Sequence, residues 1–158
     1  MSSKTSRVGV IVALTLCLVA FISIISITPS RLVLTNADTG EEYAHWAYSD
    51  GMEFSVEFIH SVHRSPVRDT FQVRGCKLYP IATTFTSYGA GMQTELNEGE
   101  ELRYNKDGTM TIIGFKNSFK RLNYIVGTVS DHILYIGGQN ISLRDLCGRN
   151  AHISIFVR

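Results

Sequence analysis

An uninterrupted apolar run near the start of the chain divides the sequence into two parts that need different surroundings. Val8–Ile27 contains no charged residue, no amide side chain and no proline over 20 residues. A helix rises about 1.5 Å per residue, so a run of this length spans roughly the 30 Å of a bilayer core. We therefore expect a transmembrane helix here, with residues 1–7 before it and one separate domain over residues 31–158.

The charges that flank the apolar run predict its orientation. Lys4 and Arg7 make the leading segment basic, and basic residues beside a first span favour the cytoplasmic side. The sequence thus predicts a single-pass protein of the cell membrane, in contact with the lipid bilayer, whose C-terminal domain is extracytoplasmic. A cleaved signal segment is the alternative. It is disfavoured because its apolar core is usually only about 7–15 residues long, and Ser26 and Thr28 match the cleavage pattern poorly.

The composition of the domain limits its partners. Residues 31–158 carry 13 basic and 14 acidic residues, and such a neutral balance offers no attraction to nucleic acid. Cys76 and Cys147 are the two cysteines of this part. A disulfide between them is chemically feasible outside the cytoplasm and would close a long loop. Unpaired thiols are equally compatible with the sequence, so both states stay open.

The domain consists of short segments in which apolar and polar residues alternate. Glu53–His60 (EFSVEFIH) is typical of a half-buried strand, and Asp107–Gly108 supplies the positive φ angles of a hairpin turn. Many such segments, separated by turn residues, predict an all-β domain that is an antiparallel sandwich or barrel. The predicted strands are Arg31–Thr35, Glu41–Ala47, Glu53–His60, Thr70–Val73, Lys77–Phe85, Leu102–Tyr104, Thr109–Phe115, Tyr124–Val129, His132–Ile136, Gln139–Leu143 and His152–Val157, with helical turns at Ser142–Leu146 and Asn117–Arg121.

A polar segment follows the third predicted strand. His60–Asp69 contains Pro66, which cannot continue a central ladder of hydrogen bonds. We therefore expect a loop at the rim of the sheet, where functional groups are often carried. The candidate binding residues of this loop are His60, Ser61, His63, Arg64 and Asp69.

Metal binding is one hypothesis for this loop. His60 and His63 are three residues apart, and imidazole is a common zinc ligand. A third ligand would come from Asp69, Glu57 or His45. Because no cysteine or carboxylate stands at a diagnostic spacing, the sequence predicts no metal and no cofactor, and a metal site remains an alternative.

A hydrolase is a weaker hypothesis for the same loop. Ser61 or Ser65 would be the nucleophile, with His60 as the base and Asp69 orienting the base. Adjacent residues of an extended strand point to opposite faces, which disfavours the pair of His60 and Ser61. A third reading is purely structural: His60 and Ser61 hydrogen-bond the neighbouring backbone, and His63 and Arg64 are simply exposed.

A glycine-rich segment follows the strand that ends at Phe85. In Ser87–Met92, Gly89 and Gly91 flank a small residue and allow a sharp bend or a close approach. A phosphate loop would need a helix to follow, and the acidic stretch to Glu101 does not predict one. We expect a tight turn that holds Tyr88 against the core, and a small pocket formed jointly with the His60 loop is an alternative.

Two motifs resemble a known bacterial family. Phe58–Val62 together with Ser65–Val67, and again Ser87–Gly91, are similar to the family called domain of unknown function 1850. The segments Leu34–Gly40, Ile141–Leu143 and Ile153–Ile155 also fit its pattern. The resemblance thus spans nearly the whole domain.

The resemblance implies a role beside a transporter. Members of this family are small, usually carry an N-terminal hydrophobic segment, and tend to be encoded beside TRAP transporters of the TAXI type. Those transporters use an ion gradient to take up organic acids. The resemblance therefore implies that this protein is a non-enzymatic accessory of the TRAP permease or of its TAXI solute-binding protein. This chain departs from the pattern at His63, where an acidic residue is expected, and at Asp69, where glutamate is common.

Overall fold

Two antiparallel sheets make up the domain. The computed structural model describes residues 30–61, 64–87 and 95–158. Its elements are β1 (Arg31–Asn36), β2 (Glu42–Ala47), β3 (Glu53–Ile59), β4 (Pro66–Arg74), β5 (Lys77–Phe85), β6 (Glu101–Tyr104), β7 (Met110–Ile113), β8 (Arg121–Ile125), β9 (His132–Ile136), β10 (Gln139–Ser142), the short helix α1 (Leu143–Cys147) and β11 (His152–Val157). The smaller sheet has the order β2-β1-β11-β8, and the larger one the order β10-β9-β3-β4-β5-β7-β6.

One hydrophobic core lies between the two sheets. Side chains alternate between the faces of a strand, so every second residue of each central strand points inward. Leu34 of β1 and Val56 of β3 are both 0% exposed and belong to the same buried cluster. The buried members of this cluster are Leu32, Leu34, Phe54, Val56, Phe71, Val73, Leu78, Leu122, Val126, Leu134, Ile136, Leu143, Ile153 and Ile155. The predicted all-β domain is confirmed, and of the two predicted architectures the sandwich is the one observed.

The two ends of the sandwich are built differently. At one end, which we call the turn end, β4 and β5 are joined by the two-residue turn Gly75–Cys76, and the chain enters β1 beside it. At the opposite loop end, residues 60–65 join β3 to β4, and residues 126–131 join β8 to β9. β1 is 6 residues long, so the two ends lie roughly 20 Å apart at about 3.3 Å per residue.

Hydrogen bonds confirm which segments share the turn end. The backbone N–H of Tyr48 donates to the carbonyl of Ser30 (3.4 Å), and its phenolic hydroxyl donates to the carbonyl of Gly75 (2.7 Å). The point where the chain enters the domain therefore lies beside the β4–β5 turn. The loop end is at the far side of the sandwich.

Two predictions about strand boundaries are wrong. β4 begins at Pro66, which pairs with Ile59, and the first residue of a strand tolerates the missing N–H. Asp69 therefore lies within β4 and not in a loop. β8 spans Arg121–Ile125, so the predicted strand Tyr124–Val129 is shifted.

The helical predictions have mixed outcomes. α1 confirms the turn predicted at Ser142–Leu146, because the Ser142 hydroxyl caps it by accepting from the backbone N–H of Asp145 (3.0 Å). The helical turn predicted at Asn117–Arg121 is wrong. Phe119 there forms an isolated bridge with Leu78 in β5, and Arg121 already belongs to β8.

Of the two cysteine states that the sequence left open, the structure shows the unpaired one. Both Cys76 and Cys147 are free thiols. Cys76 lies at the turn end, whereas Cys147 ends α1, which follows β10 at the loop end. A disulfide needs Cα atoms within about 7 Å, and the length of the sandwich separates these two. Burial raises the pKa of the Cys147 thiol to about 11, so this thiol is a weak nucleophile at neutral pH.

The described residues include no helix that has both the length and the apolar character to cross a membrane. The predicted anchor, Val8–Ile27, lies outside the described residues.

Candidate functional site at the loop end

The β3–β4 loop is closed by its own backbone. The N–H of His60 donates to the carbonyl of Ser65 (2.9 Å), and the N–H of Arg64 donates to the carbonyl of His60 (2.8 Å). Arg64 has a φ of +51°, a left-handed conformation that costs a non-glycine residue roughly 1–2 kcal/mol. The loop thus holds the exposed Arg64 side chain at the rim of the sandwich.

The β8–β9 loop faces it from the smaller sheet. The N–H of Val126 donates to the carbonyl of Ala151 (2.9 Å), which holds the start of the loop against β11. A Cβ atom at Gly127 would overlap the backbone oxygen of Ser130, so the tight path of this loop requires glycine. The loop then projects Val129, which is 90% exposed.

The helix α1 supports the β8–β9 loop from below. Asp131 accepts from the hydroxyl of Ser142 (2.5 Å) with one carboxylate oxygen and from the N–H of Arg144 (3.0 Å) with the other. The Arg144 guanidinium in turn donates to the carbonyl of Val129 (3.0 Å). These bonds fix the position of Val129 although its side chain is exposed.

His132 links the loop to the interior. Its Nδ1 accepts from the N–H of Gly127 (3.1 Å), so the neutral ring carries its proton on Nε2. The ring stacks on Phe58 at 5.5 Å between centroids and meets the edge of Tyr124. Burial is the main cause that lowers the pKa of His132, with Arg144 adding to it and Asp131 opposing it. His132 is therefore a neutral hydrogen-bond donor at pH 7.

A pocket of about 650 Å³ lies between the two loops. Its volume falls within the range of small-molecule and side-chain pockets, about 300–1,000 Å³. Its described walls include both apolar side chains and hydroxyl groups, and Arg64 is the charged side chain among them. The described lining residues are Ile59, His60, Ser61, Arg64, Gly127, Thr128, Val129, Ser130 and His132.

Asp69 does not reach this pocket. It pairs with Val56, and the four residues from Val56 to His60 extend about 13 Å along a strand. Asp69 points into the sandwich and accepts from the hydroxyl of Thr83 (2.7 Å). Burial raises the pKa of Asp69, and the hydroxyl of Thr83 opposes this to a smaller extent. The structure therefore separates Asp69 from His60 instead of joining them.

The other predicted metal ligands lie elsewhere. Glu57 is on the outer face of β3, where it pairs with Arg68 (2.7 Å) and accepts from the Tyr135 hydroxyl (3.3 Å). His45 of β2 contacts Glu42 (2.6 Å). No group of three or more His, Cys, Asp or Glu residues within the described ranges could hold a metal ion.

The two predicted nucleophiles, Ser61 and Ser65, have different surroundings. The Ser65 hydroxyl lies 3.4 Å from that of Ser87, at the start of β4, whereas Ser61 is exposed at the pocket wall. The predicted site residues His63, Tyr88, Gly89 and Gly91 lie outside the described residues. Their part in a shared pocket stays a prediction.

Six of the nine described lining residues were not among the predicted site residues: Ile59, Gly127, Thr128, Val129, Ser130 and His132. An apolar residue within the otherwise small and polar run Gly127–Ser130 is a local signal of an exposed hydrophobic side chain. It was hidden because the same run continues the alternation of a strand. His132 carried no such signal, since its role depends on the distant Phe58.

An antiparallel β-sandwich with an open pocket between two end loops is the class of protein that this fold and site define. The chain belongs to the family described as Domain of unknown function (DUF1850), whose model matches residues 54–143. This match runs from β3 to the start of α1 and includes both loops of the pocket. It confirms the resemblance carried by the two sequence motifs. No curated protein and no solved structure matches the chain.

Proposed function

We propose that the protein is a non-enzymatic, membrane-anchored accessory of a TRAP solute-uptake system, and that its loop end docks an extracytoplasmic protein of that system. The observation that carries the proposal is the position of the pocket. It lies at the loop end, opposite the point where the chain enters β1 at Arg31.

The short connection to the proposed anchor makes this position meaningful. Residues 28–30 separate Ile27 from Arg31, and three residues span at most about 10 Å. With Val8–Ile27 in the bilayer, the turn end stays near the membrane surface and the loop end faces away from it. A partner outside the membrane, such as a TAXI solute-binding protein, is therefore favoured over the buried part of the permease.

The exposed apolar side chains at the pocket support a protein partner. Val129 is 90% exposed and Ile59 is 39% exposed. Arg144 and Asp131 hold the loop that projects Val129, so this exposure is built into the fold. Exposed apolar groups with a polar surround are typical of interaction sites.

Photo-cross-linking in intact cells tests the proposal. A photoreactive amino acid replaces Val129 in the full chain, with the neighbouring transport genes expressed, and Lys77 at the turn end serves as the exposed control position. We expect cross-links to the solute-binding protein from position 129 and not from position 77. Cross-links to the permease from position 77 alone, or none to any transport protein, would contradict the docking model.

Protease accessibility tests the location separately. Protease added to intact cells, with any outer barrier opened, should digest residues 31–158. Full protection of this domain would place it inside the cell and end the proposal.

A small-ligand pocket is the second candidate function. It is favoured by the volume of the pocket, about 650 Å³, and by the donors at its wall. A small ligand and a partner side chain would use the same groups, so the two candidates are distinguished by the size of the molecule that binds.

A further inference from the structure

We infer that the loop-end pocket recognises a partner segment that presents a large apolar side chain next to a carboxylate. This inference rests on the proposed docking role and specifies the chemistry of the partner. It follows from the charge, the apolar surface and the hydrogen-bond donors that the two loops bring together.

The charge of the pocket selects an anion. Arg64 is the charged residue among the described walls, and none of those walls is acidic. No ion pair joins Arg64 to another described residue. A guanidinium binds a carboxylate in a two-pronged geometry, so a partner carboxylate is its natural complement.

The nearest acidic group does not cancel this preference. Asp131 lies beside the pocket, but its two carboxylate oxygens accept from Ser142 and from the N–H of Arg144. Both bonds tie the carboxylate to the N-terminal end of α1, which Ser142 caps. The cationic character of the rim therefore comes from Arg64.

The apolar part of the pocket selects the neighbouring side chain. Ile59 and Val129 stand at its wall with 39% and 90% of their surfaces exposed. The His132 ring, neutral and packed on Phe58, lines the same pocket. A leucine-sized side chain would gain apolar contacts there, and burying one contributes roughly 1.5–3 kcal/mol in transfer free energy.

The hydroxyl groups suit a peptide. Ser61, Thr128 and Ser130 line the same pocket, and a hydroxyl both donates and accepts. A peptide backbone needs donors and acceptors at short intervals, whereas a small acid needs only donors. Together with the projecting Val129, this pattern favours a segment of a protein.

Titration with blocked peptides tests the inference. The probe is acetyl-Gly-Leu-Glu-Gly-amide, added to the full chain in lipid nanodiscs, and binding is followed by the amide NMR signals of residues 127–130. The comparison peptides replace Glu by Gln, Glu by Lys, or Leu by Ala. We expect each replacement to weaken binding about tenfold, because each removes one charge-assisted bond or one buried side chain.

Two matched variants assign the effect to the pocket. Arg64→Gln should weaken binding of the Leu-Glu peptide about tenfold and leave the Leu-Gln peptide unaffected. Arg103→Gln removes an equal charge from the exposed strand β6 and should change neither. Arg64→Gly should lose the same affinity while the protein remains folded, because glycine accepts the φ of this position without strain.

Several outcomes would overturn the inference. Equal binding of the Leu-Lys peptide, equal effects of Arg64→Gln and Arg103→Gln, or no binding of the Leu-Glu peptide would each do so. Binding of hexanoate without binding of any peptide would show that the pocket takes a small acid instead. If the peptide binds but cross-linking from position 129 finds no transport protein, the chemistry stands and the proposed accessory role fails.

Discussion

The turn end and the loop end of the sandwich show how the fold divides stability from recognition. At the turn end, Gly137 and Gly138 adopt φ angles of +56° and +77°, the pair that suits a tight hairpin between twisted strands. The carboxylate of Asp50 accepts from the N–H of Gly75 (2.5 Å). The polar side chains of Tyr48 and Asp50 there hydrogen-bond the backbone of the neighbouring turn.

At the loop end, the hydrogen bonds hold the backbone of two longer loops, β3–β4 and β8–β9. Those bonds hold Arg64 and Val129 outward, where they contribute little to folding. Interaction sites are commonly carried on loops that a rigid scaffold positions. The difference teaches that side-chain contacts close the turn end, whereas the loop end leaves Arg64 and Val129 exposed, as the proposed docking role requires.

The largest expected effect tests whether the loop end is tightly built. Gly127→Ala should lower the free energy of unfolding by about 2 kcal/mol, because the new Cβ would overlap the Ser130 oxygen. Gly40→Ala is the control: it has a φ of +76° and open space around it, so strain alone should cost about 1 kcal/mol. Thermal unfolding of the full chain measures both, and a smaller loss for Gly127→Ala would show a loose loop end.

The next largest effect on stability is expected at Asp69, a buried carboxyl group between the two ends of the sandwich. Burial raises the pKa of Asp69 in the folded protein, so the folded state holds this proton more tightly than the unfolded state does. Stability should therefore fall as pH rises from about 3.9, the ordinary value, through the raised folded value, and stay lower above it. Asp69→Asn removes this penalty and should stabilise the protein at pH 7 by about 1 kcal/mol.

An exposed carboxylate provides the control for that prediction. The backbone N–H of Thr109 is the main cause that lowers the pKa of Asp107, the opposite sign from Asp69. Asp107→Asn should therefore give no stabilisation at pH 7. The unfolding midpoints of both variants are measured from about pH 3 to about pH 8, a range that brackets these pKa values. A loss of stability in Asp69→Asn at pH 7 would contradict the reasoning.

A smaller effect on the free energy of unfolding is expected from a substitution at the turn end. Tyr48→Phe removes the hydrogen bond to the carbonyl of Gly75 and should cost about 0.5–1 kcal/mol. Tyr104→Phe, at a side chain that is 77% exposed, should change stability by less than about 0.5 kcal/mol. Equal values for the two tyrosines would show that the turn end is not closed by its side chains.

The smallest effect has the opposite sign. Arg64→Gly should raise stability by about 0.5 kcal/mol, because relief of the left-handed strain slightly exceeds the added freedom of the unfolded chain. Asn150 has a φ of +59°, but asparagine tolerates this region better. Asn150→Gly should therefore gain less, and the opposite order would show that Arg64 is held by contacts that offset its strain.

Local patterns predicted the turn end well. The alternation of β3 and the turn at Gly137–Gly138 depend on neighbouring residues, so they are visible in the sequence. At the loop end, the cap of α1 is equally local, since the Ser142 hydroxyl accepts from the N–H three residues later.

The loop end was harder to predict because its geometry depends on distant pairing. Pro66 suggested a loop, but its pairing with Ile59 makes it the first residue of β4, and this moved Asp69 to the interior. The end of β8 is set by its register with β11, in which Ile125 pairs with His152. No window around Val129 contains that partner, so the pocket could not be inferred from sequence.

The position of β11 has a consequence for how the domain is made. β11 lies between β1 and β8. Its Val157 pairs with Leu32 of β1, although the two residues lie near opposite ends of the domain's sequence. The middle of the smaller sheet thus stays incomplete until its last strand has been synthesised and, under the proposed export, has crossed the membrane. Such distant pairing slows folding, and in the interval β1 carries an exposed edge and an uncovered apolar face. We expect the newborn chain to depend on chaperones during that interval, more than a domain assembled from neighbouring hairpins would.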